Sequence, residues 1–278
     1  MGHYDAAPGL GVDLRSAQRR DDLVAAMHDT INSNGLEKID TTLISHNQTK
    51  RSRDSLIKVE DISGKQWKGK KMTVYDPRTL RVVVPHTAGQ GETVSSMVKR
   101  TGAAAGVNGG GFVDPEGLGN GFAPIGPIIS GGKILYNDED GSVPFQMVGI
   151  TKDGTLIIGK YSITELMKLN ISEAVMFYPR VIANGKPLPV VDDGMQPRTA
   201  ICQKPNSEII ILVIDGRQTH SVGAKIKEVQ DLFMEEGCVN AGFLDGGASS
   251  EMVVGDEVVT KPSSRYGERR LPSAFLVF

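Results

Sequence analysis

The longest unbroken apolar run in the middle of the chain is IIILVI, residues 209–214. A short run without alternation reads as a strand buried on both faces. It feeds a polar loop, DGRQTHSVG, and then AKIKEVQDLFMEEG, an amphipathic helix that Gly237 brings to a stop. Upstream, KMTVYD and LRVVVP are strand-like and flank the turn dipeptide Asp76-Pro77. GETVSSMVKRTG sets Val94, Met97 and Val98 on one helical face and ends at Gly102. SITE, residues 162–165, is a capping box opening a brief helix. Nearer the start, Leu23, Val24, Met27 and Ile31 share a helical face between Asp21-Asp22 and Asn34-Gly35. The basic stretch SHNQTKRSRDS that follows reads as a solvated linker. Residues 1–55 are therefore expected to form a polar helical segment and linker, and residues 56–278 the main domain.

Hairpin signals fall at Gly131-Gly132, Asp153-Gly154, Asn184-Gly185 and Gly255-Asp256. Hairpins imply antiparallel pairing, and the helices sit between groups of strands rather than after each one. The expected class is α+β, with hairpin-rich, largely antiparallel sheets and a few flanking helices.

Composition narrows the function. A formal net charge of -2 over 278 residues gives no electrostatic footprint for nucleic acid. No apolar run reaches the roughly 20 residues needed to span a bilayer, and the opening MGHYDAAPGL reads as a non-native start. The two cysteines, Cys202 and Cys238, are open to reading as one disulfide or two buried thiols; the thiol reading is favoured because cysteine is often simply core.

Several chemical motifs can be set aside. VNGGGF lacks the Gly-Lys-Ser/Thr of a phosphate loop and the helix of a dinucleotide fingerprint. GASSE lacks the second glycine of a nucleophile elbow. His3, His28, His46, His86 and His220 show no metal-ligand spacing, and His220 alone lies near a candidate loop. No metal site is expected, and no cofactor is specified. What remains is a set of charged groups at strand ends: Arg198 before an apolar strand, Asp215 and Arg217 after one, and Glu268, Arg269 and Arg270 before the last. In NAGFLDGGASSEMVV, Asp245 interrupts a strand where the hairpin at Gly255-Asp256 already supplies a turn. Arginines and carboxylates gathered at strand mouths suit an anionic ligand, because the guanidinium fork matches phosphate bidentately.

The ordered set VNGGGF, PRTAI, DGR with Ser221 and Gly223 behind it, NAGFLDGGASSEM and ERRLPSAFLV resembles the phosphodiester glycosidase family over roughly residues 60–278. The resemblance extends to bacterial members of the exopolysaccharide-biosynthesis type. It implies a hydrolase that cleaves the glycosidic bond of a sugar-1-phosphodiester, N-acetylglucosamine being one such sugar, and leaves free sugar and a phosphomonoester. It casts Asp245, Asp215 and Arg198 as catalytic. Asn108, Gly109, Gly110, Arg217, Gly246, Gly247, Ser249 and Arg269 become substrate-binding. The implied partner is a sugar phosphate or phosphorylated polysaccharide, on a surface glycan or wall polymer. The first 55 residues resemble a juxtamembrane segment, which implies a membrane anchor ahead of them and an extracellular or cell-surface location. Ala248 stands where many relatives carry a third glycine, and the cysteine-rich regions of animal members are absent. Two rival readings keep parts of this set: a non-catalytic module binding phosphorylated glycans, and a phosphodiesterase breaking the P–O bond.

Overall fold

The computed structural model describes residues 39–46, 56–114 and 123–278. The helix expected around residues 23–31 lies outside the described residues. Residues 39–46 are fastened to the domain by the Ser45 amide on the Pro205 carbonyl and by the buried side chain of Ile44.

Among the described residues, three large antiparallel sheets surround one core, beside a two-stranded pair of Phe112–Val113 with Ala123–Pro124. The largest runs, in spatial order, Ile57–Ser63, Lys68–Val74, Ile209–Ile214, Arg198–Gln203, Asn240–Leu244, Arg180–Ala183 and Lys186–Pro187. A second contains Leu156–Tyr161, Phe145–Thr151, Ile171–Met176, Ile128–Ser130 and Lys133–Tyr136. The third orders Glu257–Val258, Met252–Val254, Ala105–Asn108, Ala274–Val277 and Leu80–Val83. The four glycine-bearing turns each close a hairpin, at 131–132, 153–154, 184–185 and 255–256. The two strands flanking Asp76-Pro77 do not pair; they enter different sheets, separated by a 3-10 turn capped by the Asp76 carboxylate.

The apolar run at 209–214 is buried on both faces. Ile209, Ile211 and Val213 join the central core with Val148, Ile158, Val107 and Phe275 from the other two sheets. Ile210, Leu212 and Ile214 face the opposite way, onto a helix. Each sheet carries one helix on its outer face: α1, Val94–Thr101, on the third; α2, Ile163–Lys168, on the second; and α3, Ile226–Glu235, on the first. Helix α1 ends where Gly102 adopts a φ of 72°, and α2 opens with the Ser162–Glu165 capping box. Burial of these faces, at roughly 25 cal/mol per Å² of apolar area, is the main force holding sheet to helix.

The thiol reading of the cysteines is corrected. Cys202 and Cys238 form a disulfide across a Cα–Cα distance of 6.0 Å. The bond ties the turn after α3 to the middle of the largest sheet, and burial, which suggested thiols, holds for the bonded pair as well.

Candidate active site at the strand ends

In the largest sheet, Arg198 pairs with Ile214 on one side, and Thr199 pairs with Leu244 on the other. This register brings Asp215, the Pro197-Arg198 entry and Asp245 to the same end of three neighbouring strands. The interstrand spacing of about 4.8 Å sets the two aspartate backbones about 10 Å apart, with Pro197 between them. The glycines permit that approach. A Cβ on Gly216 would lie 2.5 Å from the Pro197 nitrogen, and one on Gly246 would lie 3.2 Å from its oxygen.

Asn108, at the end of its strand in the third sheet, joins this cluster from below. Its amide nitrogen donates to the Asp245 carbonyl at 2.6 Å, and its oxygen accepts from the Thr199 hydroxyl at 2.7 Å and the Glu251 amide at 3.3 Å. Asn108 is 0% exposed. Gly109 and Gly110 are buried too, where added Cβ atoms would strike Ser273 and Met176. These three residues, expected to contact substrate, lie beneath the loop and shape it.

Arg198 is also turned inward. Its fork grips the Asp193 carboxylate, with one contact at 2.9 Å, and its remaining bonds go to the Ala224 and Gly194 carbonyls. The guanidinium lies over the Phe243 ring. Where an arginine open to phosphate was expected, its geometry here commits three hydrogen bonds to the loop at 193–194 and a fourth to Ala224. Arg269 is buried as well, ion-paired with buried Asp114 and reaching the Ser249 hydroxyl at 3.4 Å. Ser249 is thereby held by Arg269 and is itself nearly inaccessible.

Two expected residues stand nearer solvent. Asp245 is half-buried, and one of its oxygens accepts the Gly246 amide at 2.9 Å. Arg217 is exposed; its side chain is steadied by the Gln196 side chain at 2.9 Å and lies beside Gly247, 3.4 Å from where a Cβ would be. Gly247 has a φ of 60°, a conformation that glycine adopts without strain.

Asp215 is buried, with one oxygen taking the Lys261 amide at 2.9 Å and the other facing His220 Nε2 at 2.9 Å. Its carboxylate is thus committed to orienting an imidazole. Sequence reasoning noted His220 as the one histidine near a candidate loop but gave it no role; the available signal was its place five residues after Asp215. It also passed over Asp114 and Asp193, the partners of the two buried arginines. Chemically, the strand ends present a half-buried carboxylate, an exposed guanidinium and a carboxylate-oriented imidazole on adjoining loops. Among the described residues there is no group of three or more metal-ligating side chains, and no helix is long and apolar enough to cross a membrane.

Residues 101–278 match the family model for phosphodiester glycosidase. The SPbeta prophage-derived uncharacterized protein YomE of Bacillus subtilis is 30% identical over 174 residues, covering 59% of this chain and 26% of its own length. The N-acetylglucosamine-1-phosphodiester alpha-N-acetylglucosaminidase of Bos taurus is 24% identical over 211 residues, covering 67% of this chain and 38% of its own. The chain therefore spans well under half the length of these two relatives. The zebrafish N-acetylglucosamine-1-phosphodiester alpha-N-acetylglucosaminidase catalytic domain, solved auto-inhibited by its pro-peptide, superposes with a TM-score of 0.68 at 21% identity. That superposition covers 82% of this chain and 85% of the zebrafish one, and at this identity it shows a shared fold.

Proposed function

Because the chain belongs to the phosphodiester glycosidase family, we propose that it is a hydrolase of sugar-1-phosphodiesters, releasing free sugar and a phosphomonoester. The observation that carries this reading is that half-buried Asp245 and exposed Arg217 flank the same glycine turn, the Arg217 guanidinium lying beside Gly247. In the reaction, water adds to the anomeric carbon while the bond from that carbon to the phosphate oxygen breaks. The leaving phosphomonoester is a weak base and needs little protonation, so the chemistry requires stabilising its charge and that of an oxocarbenium-like sugar. Arg217 supplies the first, by charge-assisted hydrogen bonds to phosphate oxygens. Asp245 supplies the second, its carboxylate meeting the anomeric centre where the two glycines leave room for a sugar ring. His220, fixed by Asp215, takes the proton of the attacking water in this reading. Arg198, Arg269, Asn108 and Ser249 act one layer back, fixing the loops that present these groups.

The substrate class proposed is a phosphorylated glycan, an exopolysaccharide or wall polymer, met outside the cytosol at a cell surface. The Cys202–Cys238 disulfide supports that location, since such bonds persist in oxidising compartments. The test is incubation of the purified protein with a panel of sugar-1-phosphodiesters in oxygen-18 water. Free sugar carrying the label supports glycosidic cleavage. Label in the phosphate instead would make it a phosphodiesterase, and binding without turnover would make it a glycan-binding module.

A further inference from the structure

Behind the Asp245 loop lies a pair of acidic groups that the reaction does not use. Glu251 is 2% exposed, and neither of its carboxyl oxygens has a hydrogen-bonding partner. The groups facing it are the Glu268 carboxyl and the backbone amide of Val94, at the start of α1. Glu268 is well supplied by comparison: it accepts both the amide and the hydroxyl of Ser95 in the first turn of α1. Two arginines of the adjoining segments are committed elsewhere. Arg269 is spent on Asp114 and Ser249, and Arg100 is spent on Glu92 and the Val84 carbonyl.

Two carboxylates cannot satisfy each other, since each only accepts. An orphaned buried carboxylate is strongly disfavoured, whereas adding one proton turns the contact into a short, charge-assisted O–H···O bond. We propose that Glu251 and Glu268 share a single proton, and that this acid–carboxylate pair pins the Asp245 loop to the Arg269 segment. The route between them is short. Glu251 donates its amide to Asn108, which holds the Asp245 carbonyl, while Glu268 immediately precedes Arg269. Both are positioning residues, and the pin is independent of which bond the enzyme breaks.

Burial, reinforced by the adjacent Glu268 charge, pushes the Glu251 carboxyl up to about 9 from its ordinary 4.5. The folded chain then holds a proton that the unfolded chain has released. Stability is therefore fully present below the ordinary carboxyl range and is lost progressively as pH rises toward about 9.

The experiment uses the purified protein and Glu251→Gln, whose amide can donate to Glu268 at every pH. Infrared spectra of the wild type should contain a protonated carboxylic acid band at neutral pH that fades near pH 9 and is missing from Glu251→Gln. Thermal melts from pH 5 to pH 10 should show the variant gaining on the wild type as pH rises. Glu251→Ala, which has no donor, should melt lower than Glu251→Gln throughout. Parallel melting profiles, or no protonated acid at neutral pH in the wild type, would overturn the proposal. So would a wild type stabilised by added calcium or magnesium with loss of the band, since a cation would then be the bridge. If Glu251→Gln does not fold, the wild-type band and its pH midpoint decide the matter alone.

Discussion

Asp245 ends its strand with one carboxylate oxygen turned back onto the Gly246 amide and its carbonyl held by Asn108. Asparagine in its place would keep the shape and the turn but not the charge. The proposed role predicts that Asp245→Asn loses about 10²–10⁴-fold in kcat with KM little changed, the range for a lost acid–base or charge-stabilising group. A melt matching the wild type must accompany that loss. Unchanged turnover would leave Asp245 a turn residue and pass the test to His220. The arginines separate by the same logic. Arg217 is exposed and Arg198 is buried in a clasp. Arg217→Lys should raise KM and weaken competition by inorganic phosphate without moving Tm, because the planar fork is lost at a ligand. Arg198→Lys should instead lower stability by about 1–3 kcal/mol, because the grip on Asp193 and two carbonyls is lost inside the fold. The reverse pattern, measured by inhibition assays and melts, would restore Arg198 as the phosphate ligand.

At the level of elements, the site is assembled by hydrogen bonds between strand ends rather than within one loop. Asn108→Ala would leave the Thr199 hydroxyl and the Glu251 amide unpaired in the interior, at about 1–3 kcal/mol for each buried group. The expected outcome is a clear loss in denaturant midpoint, with activity falling because Asp245 is no longer anchored. Local chemistry made much of the scaffold legible in advance. Asn184 and Gly185 adopt φ of 51° and 78°, and Gly255 adopts 58°, conformations that announce hairpins to a reader of sequence. The strands were visible from their apolar runs, but their partners were not, since nothing local sends KMTVYD and LRVVVP to separate sheets. The same limit applied to the site. Asp245, Asp215 and the arginines were found as charged residues at strand ends, yet which arginine faces inward depends on Asp193 and Asp114, distant groups that carry no motif. The His220–Asp215 contact spans five residues, but its geometry depends on the Lys261 amide holding the other oxygen.

For the molecule as a whole, the three large sheets among the described residues share one core and each carries its own helix, so the fold is stapled from the outside by packing and, once, by a covalent bond. The Cys202–Cys238 bond closes a stretch with a sequence separation of 36, containing α3 and the Asp215 loop. The chain-entropy model assigns a loop of this length about 4 kcal/mol, and measured values commonly run to about 2–4 kcal/mol. The double variant Cys202→Ala with Cys238→Ala should therefore unfold at a lower denaturant concentration than the oxidised wild type. Reductant should bring the wild type toward the variant, and indifference to reductant would remove the bond from the stability of the folded chain.

The unbroken register of Arg198–Gln203 with its two neighbours turns strand numbering into a form of addressing. Odd and even positions along this strand deliver opposite goods: Arg198 and Ala200 to the helix side, Thr199 and Ile201 to the core side. A single residue inserted between 199 and 203 would exchange those addresses for every residue before it, sending the arginine toward Asn108 and the threonine toward Asp193. Sheet and core would tolerate the change poorly, and the site not at all. The loops that leave the strand ends carry no such count. Variation in substrate preference is therefore free to accumulate in the lengths of the loops after Ile214 and Leu244, while the six residues of Arg198–Gln203 stay fixed in number.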